Sequence, residues 1–268
     1  MTTEPQQAPV PGSLLPYRDK INTIHTEDIF KWLLAGWHDF RASGLISFGY
    51  ALIFVVAGHV ITWGLFFAGY SYLIAPMIEA FLLVGPSLTV AFFYISKNLE
   101  EGTRPSVAGA LLAWRRNWVP LASMGLMQLM FAITTARLAV LIFALNFPYI
   151  PLDVPRMVNV VLFTPEGITF LVMETLFGAV VALIVFLTGA ISLPMMLDRK
   201  VPLIRALVIS VIAVTANFRV MMIWAAVIVV VTGAGLITMM LGLAVTLPLI
   251  GHASWHAYRS LVRQDIFD

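Results

Sequence analysis

Six apolar stretches, at about residues 44–68, 72–96, 118–143, 167–193, 219–240 and 242–261, restrict what this chain can fold into more than any other feature. At ~1.5 Å per residue each makes a helix of roughly 30–40 Å, enough to cross a ~30 Å hydrocarbon core with some tilt. The composition agrees: 60% of the 268 residues are hydrophobic and 11% charged, against about 25% charged in soluble domains. A soluble fold of this size would leave large apolar patches in water. The expected fold is all-α, a polytopic membrane helix bundle whose solvent is lipid. Zero cysteines exclude disulfides, Cys-ligated zinc and iron–sulfur clusters. A formal charge of +2 gives no argument for a nucleic-acid partner.

Residues 1–25, with Pro5, Pro9, Pro11 and Pro16 and no apolar run, read as a disordered tail rather than a signal peptide. From Thr26, Ile29, Phe30, Leu33, Leu34, Trp37 and Phe40 recur at helical spacing, with Thr26 as N-cap and Glu27 and Asp28 in the first turn. This amphipathic segment, 26–43, is expected to lie in the membrane interface. Residues 104–117 and 201–217 have the same character: each begins beside a proline and ends at an asparagine before the next span.

Fourteen of the sixteen basic residues fall in the segments on one side of the spans. Arg156 is alone in the opposite loops, and Arg137 is inside span three. The positive-inside rule then predicts both termini in the cytoplasm. Each interfacial segment precedes a pair of spans whose second member carries a proline: Pro86, Pro194 and Pro248. The chain therefore reads as three copies of interfacial helix plus transmembrane hairpin, starting near 26, 104 and 201. Convergence on a basic cytoplasmic link is the alternative. Gly233, Gly235 and Gly242 fit either a tight last hairpin or one broken span. The 144–166 link, with Pro148, Pro151, Pro155 and Pro165, is expected to cap the outer face as a lid or a binding loop.

Ionisable groups inside spans are costly and face the bundle interior or a cavity. Glu79, Arg137, Glu174 and His59, from four different spans, all fall roughly 10–13 Å below the outer surface by helical rise. They predict an intramembrane polar cluster, either a structural clamp or a site for a proton, ion or small solute. His252 and His256, spaced i, i+4, are weak candidates for metal or haem. Met124, Met127 and Met130 invite a copper reading, but thioethers without Cys or His are usually core packing. Arg115 and Arg116 beside Trp114 and Trp118 suit membrane anchoring. No P-loop, GxGxxG, HExxH or GxSxG motif is present. The expectation is a protein that is not an enzyme, with no cofactor. Its partners would be the lipid bilayer and another membrane protein complex, and its oligomeric state is open.

Scattered positions resemble the bacterial integral membrane proteins grouped as domain of unknown function family 2189. They are Trp32 and Trp37, Gly85-Pro86, Tyr94-Ile95-Ser96-Lys97, and Ser192-Leu193-Pro194-Met195 with Asp198-Arg199. Further along come Asn217, Trp224, Pro248, His252, Trp255, His256 and Tyr258. The chain has Phe92-Phe93-Tyr94 in place of the usual Gly-Leu-Tyr, and Lys97 where an arginine is common. The resemblance implies a membrane protein without an established activity. Some members are labelled oxidase subunits, which so few intramembrane histidines argue against.

Overall fold

A computed structural model describes residues 17–147 and 154–266. These are helical throughout, apart from turns and one antiparallel bridge between Ile21 and Val262. The helices are α1 (Thr26–Ser43), α2 (Leu45–Phe67), α3 (Ile74–Leu88), α4 (Val90–Glu100), α5 (Val107–Leu111) and α6 (Trp118–Asn146). They continue with α7 (Val154–Phe163), α8 (Pro165–Gly189), α9 (Ser192–Arg199), α10 (Leu203–Ala216), α11 (Phe218–Ile237) and α12 (Leu243–Leu261).

Among the described residues, five segments are long and apolar enough to cross a membrane: Leu45–Phe67, Ser71–Glu100, Ala113–Asn146, Pro165–Arg199 and Phe218–Ile237. The expected sixth, α12, is not among them. Its sequence is less apolar because its surroundings are protein: Leu247, Ile250, His252, Ala253, Trp255, Tyr258 and Leu261 are all buried. It runs through the middle of the bundle, packed by α1, α2, α4 and α11. A short turn, residues 238–242, precedes it. Met239 and Met240 take left-handed backbone angles, and the Thr238 hydroxyl accepts the Gly242 N–H at 2.8 Å.

Two segments that read as single spans are broken helices, and each break is repaired by a neighbouring hydroxyl. Between α3 and α4, Tyr50 donates to the Leu88 carbonyl (3.0 Å) and Thr89 to the Pro86 carbonyl (2.6 Å). Between α8 and α9, Ser210 on α10 donates to Leu187 O (2.8 Å) and accepts from Ile191 N–H (3.2 Å). Irregular backbone at membrane depth survives only where such partners exist.

The helix at 26–43 begins one residue after its N-cap His25, not at Thr26 as cap, and Asp28 accepts the His25 N–H at 2.9 Å. It presents two apolar faces. Ile29, Trp32, Gly36, Asp39 and Ser43 pack inward, while Phe30, Leu34 and Trp37 remain exposed on the outward side. Gly36 permits the closest approach: a Cβ there would sit 2.7 Å from the Ala253 amide nitrogen of α12.

The expectation of a disordered tail over 1–25 fails for residues 17–25; residues 1–16 lie outside the described part. Ile21 and Ile24 are buried. Asn22 N–H donates to Leu261 O (2.9 Å), Arg263 N–H donates to Lys20 O (3.1 Å), and Lys20 pairs with Asp265 (3.1 Å). Two isoleucines in a polar stretch were enough to dock it beside residues 261–266. The Lys20 and Arg263 side chains hold the Asp265 carboxyl below its ordinary range. In the 144–166 link, residues 148–153 lie outside the described part, and α7 packs against α8 beyond them.

Candidate functional site

The expected outer cluster is only partly assembled. Glu79 and Glu174 face each other closely enough to interact electrostatically, and one oxygen of each, Glu79 Oε1 and Glu174 Oε2, is buried without a hydrogen-bond partner. Arg137 does not join them. It is exposed on the outside of α6, and no ion pair to it is formed among the described residues. His59 uses Nδ1 on its own helix, 2.8 Å from Val55 O. Arg137 misses the layer because depth follows from helical rise, whereas facing depends on rotation about the helix axis, which depth arithmetic does not give.

The dense polar construction lies at the opposite end, around α12. Asp198, at the end of α9, is almost fully buried and collects partners from two other helices. Lys97 Nζ on α4 is 2.6 Å from Oδ1, and the Tyr258 hydroxyl on α12 donates to Oδ2 at 2.8 Å. Arg199 Nε donates to Oδ2 at 3.1 Å, and Arg259 Nη1 lies 3.8 Å away. Arg259 in turn binds Glu100 (2.6 Å), which also accepts the Trp255 indole N–H at 3.0 Å. The ends of α4, α9 and α12 are thus held by one carboxylate. Charge-assisted bonds of this kind are the stronger class, and a buried carboxylate requires them.

A second chain crosses α12 one turn further in. His252 is wholly buried; Ser47 Oγ lies 2.9 Å from Nε2 and Ser96 Oγ 2.7 Å from Nδ1. Ser43 and Ser47 hydroxyls are 2.6 Å apart. The Ser43 hydroxyl donates to Phe40 O at 3.1 Å, which ties the serine–histidine chain to the α1 backbone. Asp39 adjoins this chain, and its Oδ2 lies 2.8 Å from His256 Nε2. Burial raises the Asp39 carboxyl, but the adjoining His256 and Ser96 side chains outweigh it and hold the group below its ordinary range.

The i, i+4 histidines thus serve different partners. Both nitrogens of His252 are engaged by serines, and His256 is turned to Asp39. Among the described residues, no group of three or more His, Cys, Asp or Glu is arranged to hold a metal ion. The methionine triplet is split: Met124 is fully buried, and Met130 is half exposed.

Two asparagines complete the frame. Asn117, before α6, donates to Met196 O and Val201 O, each at 3.0 Å. Asn217, before α11, donates to Asn22 O (3.0 Å) and accepts from Ile24 N–H (3.0 Å). Each ties down the backbone leading into another short helix.

Sequence reasoning weighed His252 and His256 as ligands but assigned no role to Asp39, Ser47, Ser96 or Asp198. The signal lay in the family resemblance, whose positions Ser96, Lys97, Asp198, Arg199, Asn217, His252, His256 and Tyr258 are those that meet here. No curated protein and no solved structure matches the chain. Residues 73–198, from the start of α3 through Asp198, match the family model described as "Predicted integral membrane protein (DUF2189)".

Proposed function

We propose that this is a non-enzymatic integral protein of the bacterial inner membrane, with both termini in the cytoplasm, serving as a structural, assembly or accessory component. In this reading α12 is a sixth span. The chain then forms three hairpins, α2 with α3–α4, α6 with α8–α9, and α11 with α12, each preceded by an amphipathic interfacial segment. The observation that carries it is the clasp of three second-helix ends on Asp198. The matching use of Asn117 and Asn217 supports it. Polar groups that a catalyst or carrier would turn toward a substrate are here turned toward each other.

An untargeted pull-down from native membranes tests the reading. A stoichiometric protein partner is the expected result; an isolated monomer with saturable solute binding would contradict it.

A second reading, a carrier of protons, ions or small solutes, is favoured by one observation: the unpartnered buried oxygens of Glu79 and Glu174. Carboxyls without a counter-charge in hydrocarbon must take up protons or hold a cation. In reconstituted vesicles this reading requires a flux that Glu79→Gln and Glu174→Gln each abolish; no flux from the wild-type protein would dismiss it. A metal- or haem-binding respiratory accessory role would need His252 to release both serines, and purified protein free of both visible absorbance and bound metal would dismiss that role.

A further inference from the structure

The three-copy arrangement just proposed has three junctions where an interfacial segment ends and a long span begins, and this inference rests on it. Two of them are filled by an asparagine. Asn117 reaches the carbonyl of Val201, the residue before Pro202, and Asn217 reaches the backbone at Asn22 and Ile24. The third junction, between α1 and α2, has Gly44 at that place. Its backbone (φ 52°, ψ −122°) turns the chain sharply from one helix into the next, a conformation open to glycine and not to asparagine. A Cβ built on Gly44 would meet nothing within 4 Å.

Where the third clasp would close there is a cavity of about 370 Å³, lined from one side by Ala42, Ser43 and Ile46 and from the other by Leu99, Thr103 and Arg104. The second side leads into Pro105, as Val201 leads into Pro202. The volume falls in the range of small-molecule sites. Its lining is amphipathic, with aliphatic walls, two hydroxyl residues and one guanidinium. Arg104 is exposed, and no ion pair to it is formed among the described residues; the same holds for Arg41, next to the lining residue Ala42. Outward apolar side chains of the flanking segments, Phe30, Leu34 and Leu45 on one side and Val107 and Leu111 on the other, set this opening at the depth of lipid headgroups.

We propose that this open junction binds the phosphate-bearing headgroup of an anionic phospholipid. Arg104 would hold the phosphate, a planar donor fork matched to its oxygens. The polar headgroup would stand in the place that an asparagine side chain occupies at the other two junctions, and the acyl chains would run outward along Ile46 and Leu99.

The test uses the full-length protein, delipidated in detergent, with phosphatidylglycerol titrated back and bound lipid counted by native mass spectrometry. Wild-type protein is expected to retain one phosphatidylglycerol per chain. Ala42→Phe, which fills the cavity without removing a polar contact, should abolish retention, and Arg104→Gln should weaken it about tenfold. Arg115→Gln, an equal charge change elsewhere in the headgroup layer, should leave it unchanged. Equal retention in Ala42→Phe, or an equal loss in Arg115→Gln, would overturn the proposal. Displacement of the lipid by inorganic phosphate at matched concentration would overturn the lipid in favour of free phosphate. The three-copy reading fails separately: Asn117→Ala and Asn217→Ala that unfold like wild type would remove it, while cavity-dependent lipid retention would stand or fall on the variants above.

Discussion

His252 has a serine on each ring nitrogen, and the ring is wholly buried between Ser47 and Ser96. Ser47→Ala and Ser96→Ala each leave one buried ring nitrogen unpaired and should cost about 1–3 kcal/mol in unfolding; wild-type stability in both would contradict this chain. Asp39 has a pH signature. Its carboxyl is held below its ordinary range in the folded protein, so the ionised form stabilises the fold above the unfolded value of about 3.9. That contribution is lost as pH falls through 3.9 toward the folded value. Asp39→Asn should cost about 1–3 kcal/mol at neutral pH and flatten the acid side of a stability profile, the two proteins converging at the acid end. An unchanged acid slope would remove Asp39 from the network.

The helices were legible in the sequence to the extent that one side chain face decides them. Span positions follow from apolar length, and α2, α6, α8 and α11 lie close to the stretches read from it. The breaks after Leu88 and Gly189 were not legible, because their repair comes from Tyr50 and Ser210 on other helices. Nor was the second face of α1, since Gly36, Asp39 and Ser43 look polar or neutral until Ala253 and His256 are set against them. The α1–α12 crossing gives an element-scale expectation. Gly36→Val would push branched methyls onto the Ala253 backbone and should destabilise by about 1–3 kcal/mol or more, seen as a lower thermal midpoint in detergent. Gly49→Val, with nothing within 4 Å of its Cβ, serves as the control and should change little.

Over the whole molecule, the buried polar groups and the lipid-facing surface are separated. Apolar side chains such as Phe67, Leu145, Val229 and Ile237 are largely exposed, as lipid contact requires, while the charged side chains gather around Asp198 at one end. Positional charge counting found that end but not the hub, because Lys97, Asp198 and Tyr258 are far apart in sequence and each alone reads as an ordinary flanking residue. The Glu79, Arg137 and Glu174 layer was read from depth alone, which carries no rotation about the helix axis, and the arginine forms no ion pair with the carboxyls among the described residues. The central claim is that one carboxylate holds three helix ends together. Unfolding of Asp198→Ala in mixed micelles tests it most directly. A loss of about 1.5–3 kcal/mol is expected, since Lys97 keeps only its longer contact to Glu101 (3.7 Å) and the buried Tyr258 hydroxyl loses its acceptor. A variant within about 0.5 kcal/mol of wild type, the range of an ordinary surface substitution, would contradict it.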